Sequence, residues 1–322
     1  MKWLLLALAL LIVAAGAWLS GPRVAVDTAV TFDAATLGDD LDQWLADREA
    51  RVAGIRPGLA KEIVWAYPHS RAKTPLAIVY VHGFSASKGE IRPVPDRVAA
   101  ELGANLFYTR LTGHGQDGAA MGTASVNDWV NDYAEAIAVG RALGERVVVI
   151  ATSTGAALAT WAATQPALSD GVAGYVFVSP NYGVQAAGAS LLTGPWGRQL
   201  ANLVAGRERG FTPRNEAHAR YWTTPYPTSA TLPMAALTEL AGSAPVETVG
   251  APALFLFSDN DKVVKPELTR EMAARWGAGS EMLVMEGSDD PSNHVIAGDA
   301  LSPSTTGLAA GRITEWIGSR LP

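Results

Sequence analysis

Runs of consecutive apolar residues alternate along this chain with stretches whose apolar positions return every three or four residues, and that alternation predicts its architecture. Continuous runs rich in β-branched residues occupy 76–81 (LAIVYV), 147–151 (VVVIA), Val172–Val178 and Ala253–Phe257, with shorter ones at 61–67, 105–109 and 282–285. They are too short for typical helices and read as strands, the continuous ones buried on both faces. Between them the spacing predicts helices over 39–52, 91–102, Val126–Leu143, 267–276 and 306–317, and a further one from 156 to just before Pro166. This order implies an α/β fold: a mostly parallel sheet with helices on both faces, its ligands gathered at the carboxyl ends of the strands.

Two segments break the rhythm. Residues 3–19 (WLLLALALLIVAAGAWL) are uncharged and follow Lys2, and every helical face of the stretch is apolar, which argues against a place in the domain core. As a helix they span roughly 26 Å, close to the ~30 Å of a bilayer's hydrocarbon. Two readings stay open, a signal peptide cleaved near Ala15-Gly16-Ala17 and a retained anchor with Trp18 at the interface. Either leaves Lys2 inside and exports the body to the cell envelope or beyond. The second break, 181–245, carries Tyr182, Trp196, Phe211, Tyr221, Trp222 and Tyr226 among several prolines and separates two core strands by far more than the usual ~2–6 residues. So many aromatics need a face to bury against, and the segment is expected to be an inserted helical cap. The expected organisation is 1–20 leader or anchor, 21–180 first part of the core, opening with a Gly-Pro linker, 181–245 cap, and 246–322 second part of the core.

Composition narrows the chemistry. With 322 residues, 48% apolar, 17% charged and a net charge of -6, the chain suits a globular body and not a nucleic-acid-binding one. It has no cysteine, which removes disulfides, thiolate zinc sites and cysteine nucleophiles. Its five histidines are His69, His82, His114, His218 and His294, too scattered for a metal motif, and no glycine-rich piece has phosphate-loop spacing. No metal or cofactor is expected.

What remains is a serine. After the strand at 147–151 the chain must turn sharply into a helix, and Ser153 sits at that turn between the small residues Ala151 and Gly155. Such a string also suits a serine capping the helix, but its strand-turn-helix setting matches a nucleophile elbow. A hydroxyl is a weak nucleophile at neutral pH and needs a base, which needs an acid to fix its tautomer. The loop 258–264 (SDNDKVV) offers Asp259 and Asp261, and the loop 289–294 (DDPSNH) offers His294, each directly after a strand. The order Ser, Asp, His is the one associated with nucleophile elbows.

Taken together, HGF at 82–84, LTGHG at 111–115, ATSTG at 151–155, SDNDKVV at 258–264 and NHVIAGD at 293–299 resemble the α/β-hydrolase family. The nearest branch is that of serine esterases similar to monoacylglycerol lipases and bacterial carboxylesterases. The likeness runs from about residue 60 to the C-terminus, the cap excepted, and Ala151 replaces the commoner glycine. It implies Ser153 as nucleophile, His294 as base and then acid, and Asp261 in preference to Asp259 as the orienting acid. The oxyanion would be met by the backbone N–H groups of Phe84 and Thr154. Gly83 would let its loop approach the substrate, while His82 and His114 would brace neighbouring turns. The activity implied is hydrolysis of a small-molecule carboxylic ester with an apolar acyl chain. An amidase, thioesterase or perhydrolase with the same triad, and a non-catalytic binding protein on this fold, are the alternatives.

Overall fold

A computed structural model of the chain describes residues 2–321. Its strands are β1 (Glu62–Val64), β2 (Thr74–Val81), β3 (Asn105–Tyr108), β4 (Gly144–Thr152), β5 (Val172–Val178), β6 (Glu208–Arg209), β7 (Tyr226–Pro227), β8 (Ala253–Phe257) and β9 (Ser280–Val284). Seven of them form one sheet in the order β1-β3-β2-β4-β5-β8-β9, with only β1 antiparallel to its neighbour, and β6 with β7 makes a small separate ribbon. The central strands are buried over nearly their whole length, as their unbroken apolar runs require.

The helices are α1 (Lys2–Leu19), α2 (Leu41–Ala50), α3 (Val94–Leu102), α4 (Gly118–Met121), α5 (Val126–Leu143), α6 (Ser153–Ala163), α7 (Pro166–Ser169), α8 (Gly197–Ala205), α9 (Glu216–Tyr221), α10 (Thr231–Gly242), α11 (Pro266–Arg275) and α12 (Pro303–Arg320). One face of the sheet buries Trp129, Tyr133 and Ile137 of α5, the alanine-rich face of α6, and Trp276 after α11. The other face is covered by α3 and α12, through Val94, Val98, Ile313 and Trp316. The chain is thus an α/β-hydrolase fold, a mostly parallel seven-stranded sheet with helices on both sides.

Several boundaries differ from the sequence expectation for local reasons. The strand expected over 61–67 is only three residues long, because the Trp65 indole N–H turns to Asp42 and the Ala66 N–H donates to the Asn105 side chain instead of a ladder. The helix expected from 91 starts at Val94, after Pro93 and with Pro95 in its first turn, the place where a missing N–H does no harm. α5 has the expected bounds, opened by a Ser125–Asp128 capping box.

Between β5 and β8 the chain makes a long excursion. Its last helix, α10, packs on α6 and gives Ala236, Leu237 and Ala241 to the main core. Its middle part places Trp222, Phe211 and Tyr221 against Val295, Ala300 and Leu301, in a small apolar cluster beside the loop that carries His294. The α1 helix is exposed throughout and is long and apolar enough to cross a membrane. Its last turn is tied to the excursion, where the Trp196 indole donates to the Ala17 carbonyl at 3.0 Å.

The turn from β4 into α6 is tight. Ser153 lies at φ 51°, in the left-handed region that side chains other than glycine's rarely occupy. Two residues on, a Cβ at Gly155 would fall 2.4 Å from the His82 carbonyl oxygen and 2.5 Å from that of Val81. The helix can therefore start only because this position has no side chain. Gly155→Ala is expected to lower the unfolding free energy by about 1–3 kcal/mol, the usual range for overpacking a tight core, as read from urea denaturation. An unchanged midpoint would show that β2 and α6 have room to separate.

Candidate active site

β2, β4, β8 and β9 end at the same edge of the sheet, and the four loops that follow them supply the site. Ser153 comes from the β4–α6 turn, Asp261 from the loop after β8, and His294 from the loop after β9. His294 Nε2 lies 3.1 Å from Ser153 Oγ, and His294 Nδ1 lies 2.8 Å from Asp261 Oδ2. The other oxygen of Asp261 accepts from the N–H groups of Val263 and Val264 at 2.7 and 2.9 Å, which holds the buried carboxylate toward the ring. Of the two acids the sequence offered, Asp259 faces outward and pairs with Arg270 on α11 at 2.8 Å. It is Asp261 that reaches the imidazole.

Burial disfavours a charged His294, yet the hydrogen bond and charge of Asp261, with smaller contributions from Glu90 and Asp290, hold its pKa above the ordinary value of 6.5. Asp290 organises the loop around this histidine. Its Oδ2 accepts from the N–H groups of His294 at 3.1 Å and Val295 at 2.9 Å and from Ser292 Oγ at 2.5 Å. Its Oδ1 accepts from the Ser292 N–H at 3.0 Å and from the Arg214 guanidinium, which reaches down from the excursion. Burial alone would raise this carboxyl, but Ser292, Arg214 and Val295 together keep it well below the usual carboxylate range.

Thr154 lies in the first turn of α6, where N–H groups have no partner within the helix. Across from it, no described residue accepts from the Phe84 N–H. The loop holding Phe84 is braced by His82: the Leu111 N–H donates to Nε2 at 3.1 Å, which leaves the proton on Nδ1 to donate to the Gly83 carbonyl at 2.9 Å. Burial and the neighbouring His114 keep His82 neutral, and burial lowers His114 to about 4. His218 stacks on Phe211 with ring centroids 4.8 Å apart, and His69 is exposed on the surface.

Three contributors were not singled out from the sequence. Glu90 lies fully buried beside the Phe84 loop, Arg214 holds Asp290, and the Asn181 N–H donates to the Ser153 carbonyl at 3.0 Å. Glu90 left one signal, an acid next to the core positions Ile91 and Val94. Above Ser153 opens a cavity of about 760 Å³, within the range of small-molecule sites. Leu192, Leu200, Val204, Met234 and Val263 line much of it, with Ser153, Glu90, Asp290 and His294 among its polar lining. Among the described residues no group of three or more His, Cys, Asp or Glu side chains is arranged to hold a metal ion.

The sequence profile described as "Alpha/beta hydrolase family" matches residues 78–300. No curated protein matches the chain at a significant level. Among solved structures, one reported with two metagenome-derived lipolytic enzymes is similar at TM-score 0.66 and 22% identity, covering 82% of this chain and 99% of that one. A monoacylglycerol lipase of Paleococcus ferrophilus matches at TM-score 0.59 and 16% identity, over 81% of this chain and 99% of that one. A soluble variant of the monoglyceride lipase of Saccharomyces cerevisiae, in complex with a substrate analog, matches at 0.60 and 12%, over 81% and 91%. At these identities the likeness is one of fold.

Because the folded Asp290 carboxyl sits below its unfolded value of about 3.9, its stabilisation is complete above that pH and is lost as pH falls toward the folded value. The difference in unfolding free energy between wild type and Asp290→Asn is expected to be about 1–3 kcal/mol near neutral pH and to shrink below about pH 3. Arg214 is partly solvated, which keeps this below the ~3–5 kcal/mol of breaking a wholly buried pair. Urea unfolding at both pH values measures it, and a gap independent of pH would deny Asp290 its charged role.

Proposed function

This chain belongs to the alpha/beta hydrolase family, and from that membership and the geometry of its site we propose that it is a serine ester hydrolase, cleaving carboxylic esters with an apolar acyl chain. The observation that carries the reading is the unbroken relay from Asp261 through His294 to Ser153 Oγ, at the floor of a largely apolar cavity. As Ser153 Oγ attacks the ester carbonyl, His294 Nε2 takes its proton, and Asp261 holds the ring and offsets the imidazolium charge. The carbonyl oxygen, now negative, lies between the N–H groups of Phe84 and Thr154. Collapse of that intermediate expels the alcohol, which leaves with the proton from His294. Water then adds to the acyl-enzyme with His294 again as base, and the acid departs.

The preference for esters draws on the solved relatives, which are described as lipolytic enzymes and monoacylglycerol lipases, and on the aliphatic side chains that line the cavity. Residues 181–245 act as the cap over the acyl chain, since α8 supplies Leu200 and Val204 to the cavity wall. The apolar α1 exports the body, as a cleaved leader or a retained anchor, and N-terminal sequencing of membrane and soluble fractions distinguishes the two.

Ser153→Ala is expected to reduce kcat on p-nitrophenyl esters by at least ~10³-fold with little change in fold. Activity that survives the substitution would remove Ser153 from the chemistry. The base must be neutral, and its pKa is raised, so kcat/KM should fall as pH drops through a midpoint above 6.5. An acid limb centred well below that value would mean that the Asp261 bond is not made in the working enzyme.

A further inference from the structure

Glu90 is a buried acid in the cavity wall that the reaction above does not use. It lies on the loop between β2 and α3, and its side chain is fully enclosed. Oε2 accepts from the Gly83 N–H at 2.7 Å and from the Tyr80 hydroxyl at 3.0 Å. Tyr80 Oη is also 3.2 Å from Oγ1 of Thr152, the residue directly before the nucleophile. One carboxyl thereby joins the loop that carries Phe84 to the end of the strand that carries Ser153.

The other oxygen lies beside Gly83. A Cβ built on Gly83 would fall 2.7 Å from Glu90 Oε1 and 3.1 Å from Ser153 Cβ, so carboxyl and nucleophile flank the same bare backbone. Glu90 lines the cavity beside Ser153, and its charge is felt by His294. The groups that face it are the Gly83 N–H, Tyr80 from β2, and His294 from the loop after β9, with Asp261 and Asp290 beyond the imidazole and Arg214 held by Asp290.

We propose that Glu90 is a positioning residue of this serine hydrolase, one that in its carboxylate form aligns the Phe84 N–H with Ser153 through Gly83. The proposal rests on the serine hydrolase reading. In acylation the imidazole gains a proton in the same cavity that this acid lines, and a negative charge there favours the imidazolium. The carboxylate also accepts both hydrogen bonds better than a protonated acid does. Burial raises the Glu90 carboxyl to about 7, against the Gly83 and Tyr80 hydrogen bonds and the His294 charge, so its ionisation falls within the working pH range. The acid limb of the wild-type profile then carries two protons, one from each group.

Glu90→Gln keeps an oxygen for Gly83 and Tyr80 but removes the charge, whereas Glu90→Ala removes both. In Glu90→Gln the acid limb of kcat/KM should become a single-proton curve with its midpoint lower by about half a pH unit or more, because His294 has lost a negative neighbour. In Glu90→Ala, kcat should fall about 10–100-fold, with KM changed by less than about threefold, and Glu90→Gln should restore part of it. Labelling of Ser153 with a fluorophosphonate probe and the thermal midpoint are recorded on every protein. If folded Glu90→Gln and wild type give superimposable pH profiles, the proposal is overturned while the hydrolase reading stands. If wild type neither labels nor hydrolyses esters, the reading itself fails and the proposal falls with it.

Discussion

No carbon can be added at Gly155, because the carbonyl oxygens of Val81 and His82 already occupy the space beside it. This close approach of α6 to the end of β2 is the constraint from which the site follows. It drives Ser153 into left-handed backbone and so lifts its side chain off the strand and out of the helix. It also places the first turn of α6, with its unpaired N–H groups, directly across from the loop that follows β2. Ser153 and the N–H groups of Phe84 and Thr154 are brought together from neighbouring strands because one residue has no side chain.

The electrostatics are arranged around a single imidazole. Asp261 touches it, Asp290 holds its backbone, and Glu90 lines the same cavity, so three carboxyl groups favour the charged ring in a setting whose burial opposes it. Each acid is fixed differently. Backbone N–H groups hold Asp261, a cation from the excursion helps hold Asp290, and a tyrosine and a glycine N–H hold Glu90.

The sheet was legible because burial on both faces leaves a continuous apolar run, visible at 76–81, 147–151, Val172–Val178 and Ala253–Phe257. Ser153, Asp261 and His294 were legible for a related reason, since each lies just beyond a strand, where polar residues stand out. Boundaries were lost where a side chain competes with the backbone, as Asn105 does at Ala66, or where prolines shift a helix start, as before Val94. The interior of 181–245 gave no periodic signal. Its short elements are fixed by distant partners, such as Thr223 on the Ser85 carbonyl and Trp196 on Ala17. Glu90 and Arg214 were hidden because what distinguishes them is the neighbour across the fold, which spacing does not encode.

The ion pair between Arg214 and Asp290 spans two parts of the molecule that would otherwise be free to diverge. Arg214 lies in the segment that walls the cavity, and Asp290 shapes the backbone of the histidine loop. Remodelling the cavity by exchanging the stretch near residue 214 would strip the cation from a buried carboxylate, and the disturbance would pass along its hydrogen bonds to the backbone of His294 and Val295. In this protein the shape of the cavity and the setting of the imidazole beneath it are not separate modules, and a graft that ignores Arg214 alters both at once.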